Sequence, residues 1–441
     1  MTYFVNILNI KLATACIISA FFILGNGNIL AQTAEKTMPI TLETVLKLSG
    51  TNNLKIAEIN AKYELAKAKQ LSSKEWFLPT VSPGLLLMGY GGNAQTIDGT
   101  FIDVNKNSFW GGFGVSANWD LGENVYNYLA SKQELESAGF ANQVIKNEAT
   151  LDAVTLFYSL GAAQSKVAAL DLVMVKAEDI VRQIELLVIN GSRYKSDVLL
   201  AKANLNHIKI EISRAKEKVR TNSNELLKVL NIKDQVLLLI GDSILVPVDL
   251  ADTSSANLNT AYENRPEINL SKSNLEALTI RRKATTTGLL LPSVNFGLND
   301  GLYGPYFNPL ANRYSYYFGA TWDIPLGALF YAGDKKQFDA RIRIEDIKLE
   351  GVKNTIRQEV MDAQAKVEGA NEQMRLAEAS TGYARDALDQ CMKRQELGIG
   401  LPLEVFQAQE QLLKVNIDLI NAISRYNKAQ YELYVALGNN F

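Results

Sequence analysis

Residues 191–205 read GSRYKSDVLLAKANL, and residues 398–412 read GIGLPLEVFQAQEQL. Each is a glycine, five residues, an acid, a valine, two residues, an alanine, three residues and a leucine. The two copies lie 207 positions apart in a chain of 441. A pattern written twice, half a chain apart, restricts the fold to two copies of one unit. The length exceeds one ordinary compact domain but suits a repeat architecture.

The ten prolines bound the helices by where they are missing. None falls between Pro83 and Pro247, and none between Pro325 and Pro402. An interior proline costs a helix about 3 kcal/mol, so these gaps are open to long helices. Within them Val167, Leu170, Met174, Ala177, Val181, Ile184 and Val188 alternate steps of three and four. So do the series from Val198 to Val219 and from Val405 to Tyr426. That spacing is a coiled-coil seam. It predicts long helices over about 125–190 and 334–397 and half-length ones over 197–230 and 404–437. Two more half-length helices are expected over roughly 42–76 and 258–289. A helix from 125 to 190 would be about 100 Å long, so two half-length helices stacked end to end run alongside one long one.

Between the helices the period changes to two. Phe109, Gly111, Phe113, Val115, Ala117, Trp119 and Leu121 alternate with partners that include Ser116, Asn118 and Asp120. Residues 292–300 and 313–324 alternate in the same way, whereas Val81–Tyr90 alternates poorly. One apolar face at period two is a strand, and these lengths fit a tilted membrane strand of about 9–11 residues. All four tryptophans, Trp76, Trp110, Trp119 and Trp322, lie in or beside these segments, as expected of rings at a membrane interface. Residues 91–107 and 301–312 read as the loops outside the strands.

The expected organisation is a secretory leader over 1–31, a first repeat over 32–231 with strands in 79–121, a linker over 232–256, and a second repeat over 257–441 with strands in 292–324. The leader rests on Lys11, the apolar run Leu12–Leu24 and the small-residue site before Gln32. The linker has room for a small extra strand. Four strands cannot close a barrel, and an open edge is not tolerated in lipid. Several copies must therefore share one barrel: two would give eight strands and three would give twelve.

Composition removes other classes. A formal net charge of −2 offers no basic face for nucleic acid. His207 is the one histidine, and Cys391 is the one cysteine besides Cys16 in the leader. No histidine-rich metal site, catalytic triad or internal disulfide of the mature chain follows from that inventory. No enzyme motif and no cofactor signature is present. Two readings remain, a membrane channel and a structural coiled-coil protein of the envelope. The lipid-ready alternation of the strands favours the channel.

The duplicated layout, the Pro79 and Pro292 approaches to paired strands, and the twin turns resemble the TolC family of outer-membrane efflux proteins over about residues 40–438. The resemblance implies a mainly helical protein with membrane β-strands. It implies a homotrimer with one shared twelve-stranded barrel in outer-membrane lipid and a helical tunnel across the periplasm. It also implies passive export of small molecules, driven by an inner-membrane transporter through a periplasmic adaptor. The alternative is the same duct serving type I protein secretion.

On that resemblance the twin turns are the periplasmic tips. Gly191, Ser192 and Arg193 would form one adaptor-docking turn, and Gly398, Ile399 and Gly400 the other. Asp197 and Glu404 fall in the first turn of the next helix, where the helix dipole favours an acid. The position of Glu404 resembles one that lines an acidic ring at the entrance, where three carboxylates would titrate together. A second acid is absent one turn on, at Gln407. Asp197 resembles half of a lock whose partner positions are Gln395 and Gly400 here, so the lock differs, with Arg394 as the candidate substitute.

Overall fold

A computed structural model of the chain describes residues 36–241, 245–250, 257–306, 309–323, 325–397 and 399–440. The leader over 1–31, Ile324, Gly398 and Phe441 lie outside the described residues.

The two repeats unfold along the chain as the periodicity predicts. The first has α1 (Leu42–Asn52), α2 (Leu54–Ser72), β2 (Thr80–Gln95), β3 (Phe101–Asp120), α3 (Leu121–Ile189) and α4 (Lys195–Val229), preceded by β1 (Thr37–Ile40). The second has α5 (Leu258–Asn264), α6 (Pro266–Ala284), β5 (Ser293–Gly304), β6 (Ala311–Thr321), α7 (Leu326–Tyr331), α8 (Gly333–Glu396) and α9 (Pro402–Ala436). Between them lies β4 (Leu237–Ile240). The 69 residues of α3 make a rod of about 104 Å.

Local chemistry sets the boundaries. Asp120 ends β3 and caps α3, accepting from the Glu123 N–H at 3.0 Å. The half-length helix expected over 42–76 breaks at Asn53, whose side chain accepts from the Lys55 N–H at 2.8 Å and starts α2. Its counterpart over 258–289 breaks at Arg265, held extended before Pro266, which opens α6. The two 35-residue helices end alike, at Asn231 (φ 52°) and Gly438 (φ 84°). There the Ile232 N–H reaches the Leu227 carbonyl at 2.9 Å, and the Asn439 N–H reaches that of Tyr434 at 3.2 Å. The two residues stand 207 positions apart (438 − 231), so the duplication extends to the helix ends.

The long helix α3 packs against α2 and α6 on its first half and against α4 further on, and α8 packs against α6 and α9. Leu170, Ala177 and Ile184 of α3 are buried in this seam, as are Ala201 and Ile208 of α4 and Val405 and Leu412 of α9. Cys391 lies beside Ile184 as a small apolar filler, and His207 is on the outside.

At the middle of the shaft the linker supplies β4, the extra strand expected of it. Its partner is β1, in parallel register from Thr37↔Leu237 to Ile40↔Ile240. Side chains complete what this two-stranded sheet lacks. Gln164 of α3 donates to the Leu238 carbonyl at 2.9 Å and accepts from the Ile240 N–H at 3.1 Å. Asn427 of α9 brackets the next segment, donating to the Val246 carbonyl and accepting from the Val248 N–H. Amide side chains thus satisfy backbone groups that no neighbouring strand reaches.

Near this level a buried guanidinium joins the second repeat together. Arg265 is held by Glu267 through two bonds of 2.9 Å and by Glu359 at 2.7 Å. Glu148 of α3 faces the same groove. Its carboxyl titrates above the ordinary range, first because it is partly desolvated, then because Glu267, Asp152 and Glu359 crowd it, with Lys55 opposing. A raised carboxylate stabilises the fold below its unfolded value and loses that contribution as pH rises through the folded one. Glu148→Gln is therefore expected to stabilise the protein at pH 7.5, by no more than about 0.5 kcal/mol because water screens the site. The gain fades toward pH 4, and thermal unfolding at the two pH values measures it.

Candidate functional site

The twin turns lie together at the far end of the shaft. After α3 the chain reverses through Gly191, whose φ of 74° belongs to the left-handed region. The Gly191 N–H donates to the Val188 carbonyl and the Ser192 N–H to that of Leu187, closing the helix end. In the second turn the Ile399 and Gly400 N–H groups both reach the Arg394 carbonyl. A side chain on Gly400 would collide with the backbone of Arg394 and Gln395. One guanidinium ties the turns: Arg193 donates to the Gly400 carbonyl at 2.6 Å. Arg193 and Gly400 occupy equivalent positions of the two repeats, so an interaction across the internal symmetry holds the tip.

Asp197 and Glu404 both stand in the first turn of their helices. Arg394 pairs with Glu404 at 3.4 Å, not with Asp197. That contact is an ion pair without hydrogen-bond geometry, and it leaves a buried Glu404 oxygen without a donor. Gln407 is exposed and Gln395 is buried. The apolar seam of α9 also contains Gln409, buried between Val405 and Leu412 with neither amide atom hydrogen-bonded. It sits at a seam position, and period alone gives no sign that a polar residue there lacks a partner.

At the opposite end four antiparallel strands form one sheet in the order β2-β3-β5-β6. The register sorts their side chains into two faces. Val294, Phe296 and Leu298 of β5 share a face with Ala320, Phe318 and Tyr316 of β6 and with Trp119, Ala117 and Val115 of β3. The other face carries Asn295, Gly297 and Asn299 beside Asn118, Ser116 and Gly114. Aromatic residues of the first face are bare: Tyr314, Tyr316 and Phe318 are each more than 70% exposed. Trp119 lies on that face and donates to the Phe77 carbonyl at 2.8 Å, beside Trp76 in the short turn Glu75–Phe77. Trp322 follows β6 at the same end, exposed. Trp110 stands apart, on the polar face opposite Leu86 and Tyr303.

Residues 91–95 and 101–107, expected as loop, are strand. The hairpin runs to Gln95↔Phe101 and turns through Gly99 at φ 83°. The Thr96 N–H donates to the Thr100 carbonyl at 2.8 Å and closes it.

Among the described residues no helix is long and apolar enough to cross a membrane, and no cluster of metal-binding side chains occurs. The described residues form strands apolar on one face and polar on the other above a helical shaft with two turns at its foot. Residues 257–439, the second repeat, match the family described as outer membrane efflux protein. No curated protein matches the chain by sequence. The fold matches a membrane protein from Pseudomonas aeruginosa with a TM-score of 0.80 and 18% identity over 91% of this chain and 90% of that one. It matches the Campylobacter jejuni CmeC outer membrane channel with a TM-score of 0.77 and 18% identity, over 90% and 85%. It matches the open state of the Neisseria gonorrhoeae MtrE outer membrane channel with a TM-score of 0.74 and 15% identity, over 90% and 89%. Residues 257–439 have the sequence pattern of the outer membrane efflux protein family, and the whole chain has the fold of these outer-membrane channels.

Proposed function

We propose that three copies join their sheets into one twelve-stranded barrel and their helices into one periplasmic tunnel. The duct is a passive exit for small molecules. A periplasmic adaptor grips its tips, and an inner-membrane transporter supplies the energy. The observation that carries this reading is the sheet itself, four strands with β2 and β6 as unpaired edges and one face that is apolar from Trp119, Val294 and Ala320 as far as Asp300. Unpaired edges cost several kcal/mol per group in lipid, and joining β6 of one copy to β2 of the next pairs them along the length the two strands share. Trp76, Trp119 and Trp322 then mark the periplasmic interface of the bilayer.

In this assembly Glu404 lines the entrance beside Asp197, with Arg394 partly offsetting its charge. Around the twin turns Ile189, Tyr194, Leu397, Ile399, Leu401 and Leu403 are exposed. This apolar collar is what an adaptor would cover. Photo-reactive residues at Arg193 and Ile399 in living cells test the reading. Capture of a periplasmic protein encoded with an inner-membrane transporter is expected. Capture of neighbouring copies alone contradicts adaptor docking.

A further inference from the structure

The β2–β3 hairpin outruns the rest of the sheet. β5 ends at Gly304, opposite Phe109, whereas β3 continues to Phe101, paired only with β2. The eight pairs from Met88↔Ser108 to Gln95↔Phe101 extend roughly 27 Å beyond the β5–β6 hairpin.

At that level the two faces exchange polarity. Lower down, Leu85 and Leu87 share the apolar outer face with Phe113 and Val115, while Ser82 and Gly84 share the polar face with Gly112 and Gly114. Higher up, the outer face carries Asn93, Asp103, Asn105 and Asn107, with Phe101 as its one large apolar side chain, at the apex. The inner one carries Met88, Tyr90, Ile102 and Val104, with Lys106 as its one charge. Tyr90 is 60% exposed and Ile102 50%. The outer apolar band therefore stops at Leu87↔Phe109, where membrane contact would end. Above it the apolar surface turns toward the lumen.

We propose that the three β2–β3 hairpins lean over the barrel mouth and pack their apolar inner faces together on the threefold axis, closing the outer exit. This rests on the three-copy barrel proposed above. A twelve-stranded barrel has a radius of about 12 Å at a strand spacing of about 4.8 Å and a tilt of about 40°, less than the length of the hairpin. The bend has a site: Gly89, Gly91 and Gly92 follow one another where β2 leaves the sheet, and Gly92 adopts a φ of 112°. The apex is tied across its turn, where the Thr96 and Thr100 hydroxyls pair at 2.6 Å. The occupant is a second copy because of the direction of the face. A partner outside the cell meets the polar face, while the apolar one looks along the axis at its own symmetry mates.

The test uses full-length protein with Cys391→Ser, carrying Ile102→Cys or Tyr90→Cys, or Asn105→Cys on the polar face. Intact cells are treated with a short bifunctional maleimide and read on a denaturing gel. Linked copies are expected for Ile102→Cys and Tyr90→Cys, and single labelling for Asn105→Cys. If both inner-face thiols react with a monofunctional maleimide yet yield no linked copies, the closure is wrong. Adducts to cargo or to another protein at those thiols overturn it equally. Native mass of the same variants separates the causes: intact trimers without links overturn the exit closure alone, and absence of trimers overturns the shared barrel as well.

Discussion

Gly288→Val is expected to empty the outer membrane of folded protein. Gly288 lies in the short turn Thr287–Leu290 that leads into β5, and Gly122 is the second residue of α3, just after β3. The strand-to-helix junction of one repeat crosses the helix-to-strand junction of the other here, backbone on backbone. A Cβ on Gly288 would lie 2.5 Å from the Gly122 carbonyl oxygen, and one on Gly122 would lie 2.3 Å from that of Gly288. Neither obstacle is a side chain that can rotate away. On one side α3 is already fixed by its Asp120 cap, and on the other Tyr126 pairs with Thr287 at 3.0 Å. The cost should reach the upper end of overpacking, about 3 kcal/mol or more, at the point that joins barrel to shaft. Fractionation and thermal unfolding measure it. Gly382→Ala is the contrast, since open space surrounds that position within the protomer and alanine favours a helix over glycine by about 1 kcal/mol. Equal loss in both variants would show that the Gly122–Gly288 crossing has no special role.

Arg193→Ala with Arg394→Ala should loosen the periplasmic tip and raise single-channel conductance severalfold. Arg193 links the second turn to the first through the Gly400 carbonyl, and Arg394 holds Glu404. A hydrogen bond from a charged group is worth about 1.5 kcal/mol or more. In the proposed trimer three copies lose the Arg193 bond together, which biases that assembly by about 4 kcal/mol, close to a thousandfold in population. Freeing Glu404 from Arg394 should also strengthen cation preference, whereas Glu404→Gln weakens it. Planar-bilayer recordings measure both quantities. Unchanged conductance in the double variant would mean that these arginines do not hold the entrance closed. Unchanged selectivity in Glu404→Gln would remove that carboxylate from the constriction.

The shaft was legible in the sequence because a seam at steps of three and four survives any detail of packing. The turns were legible because they were written twice. Strands β3, β5 and β6 announced themselves through one apolar and one polar face. Residues 81–90 did not, and the register shows why: Leu85 and Leu87 point one way while Leu86 and Met88 point the other, across the level where the apolar face changes sides. A strand apolar on both faces has no period-two signal to read. The four-residue β1 was too short to show a period, and Gln164 looks like any polar helix residue until the β4 backbone is set beside it. At the tip, Arg394 was legible as a gate candidate. That it meets Glu404 and not Asp197 depends on the path of the second turn, which no spacing rule contains.

Native mass spectrometry of the full-length protein, extracted from outer membranes in mild detergent, tests the shared barrel most directly. The proposed twelve-stranded barrel, which joins the free edges of three four-stranded sheets, predicts a single species of three copies that persists on dilution. A folded monomer, or a stable pair giving eight strands, would contradict it.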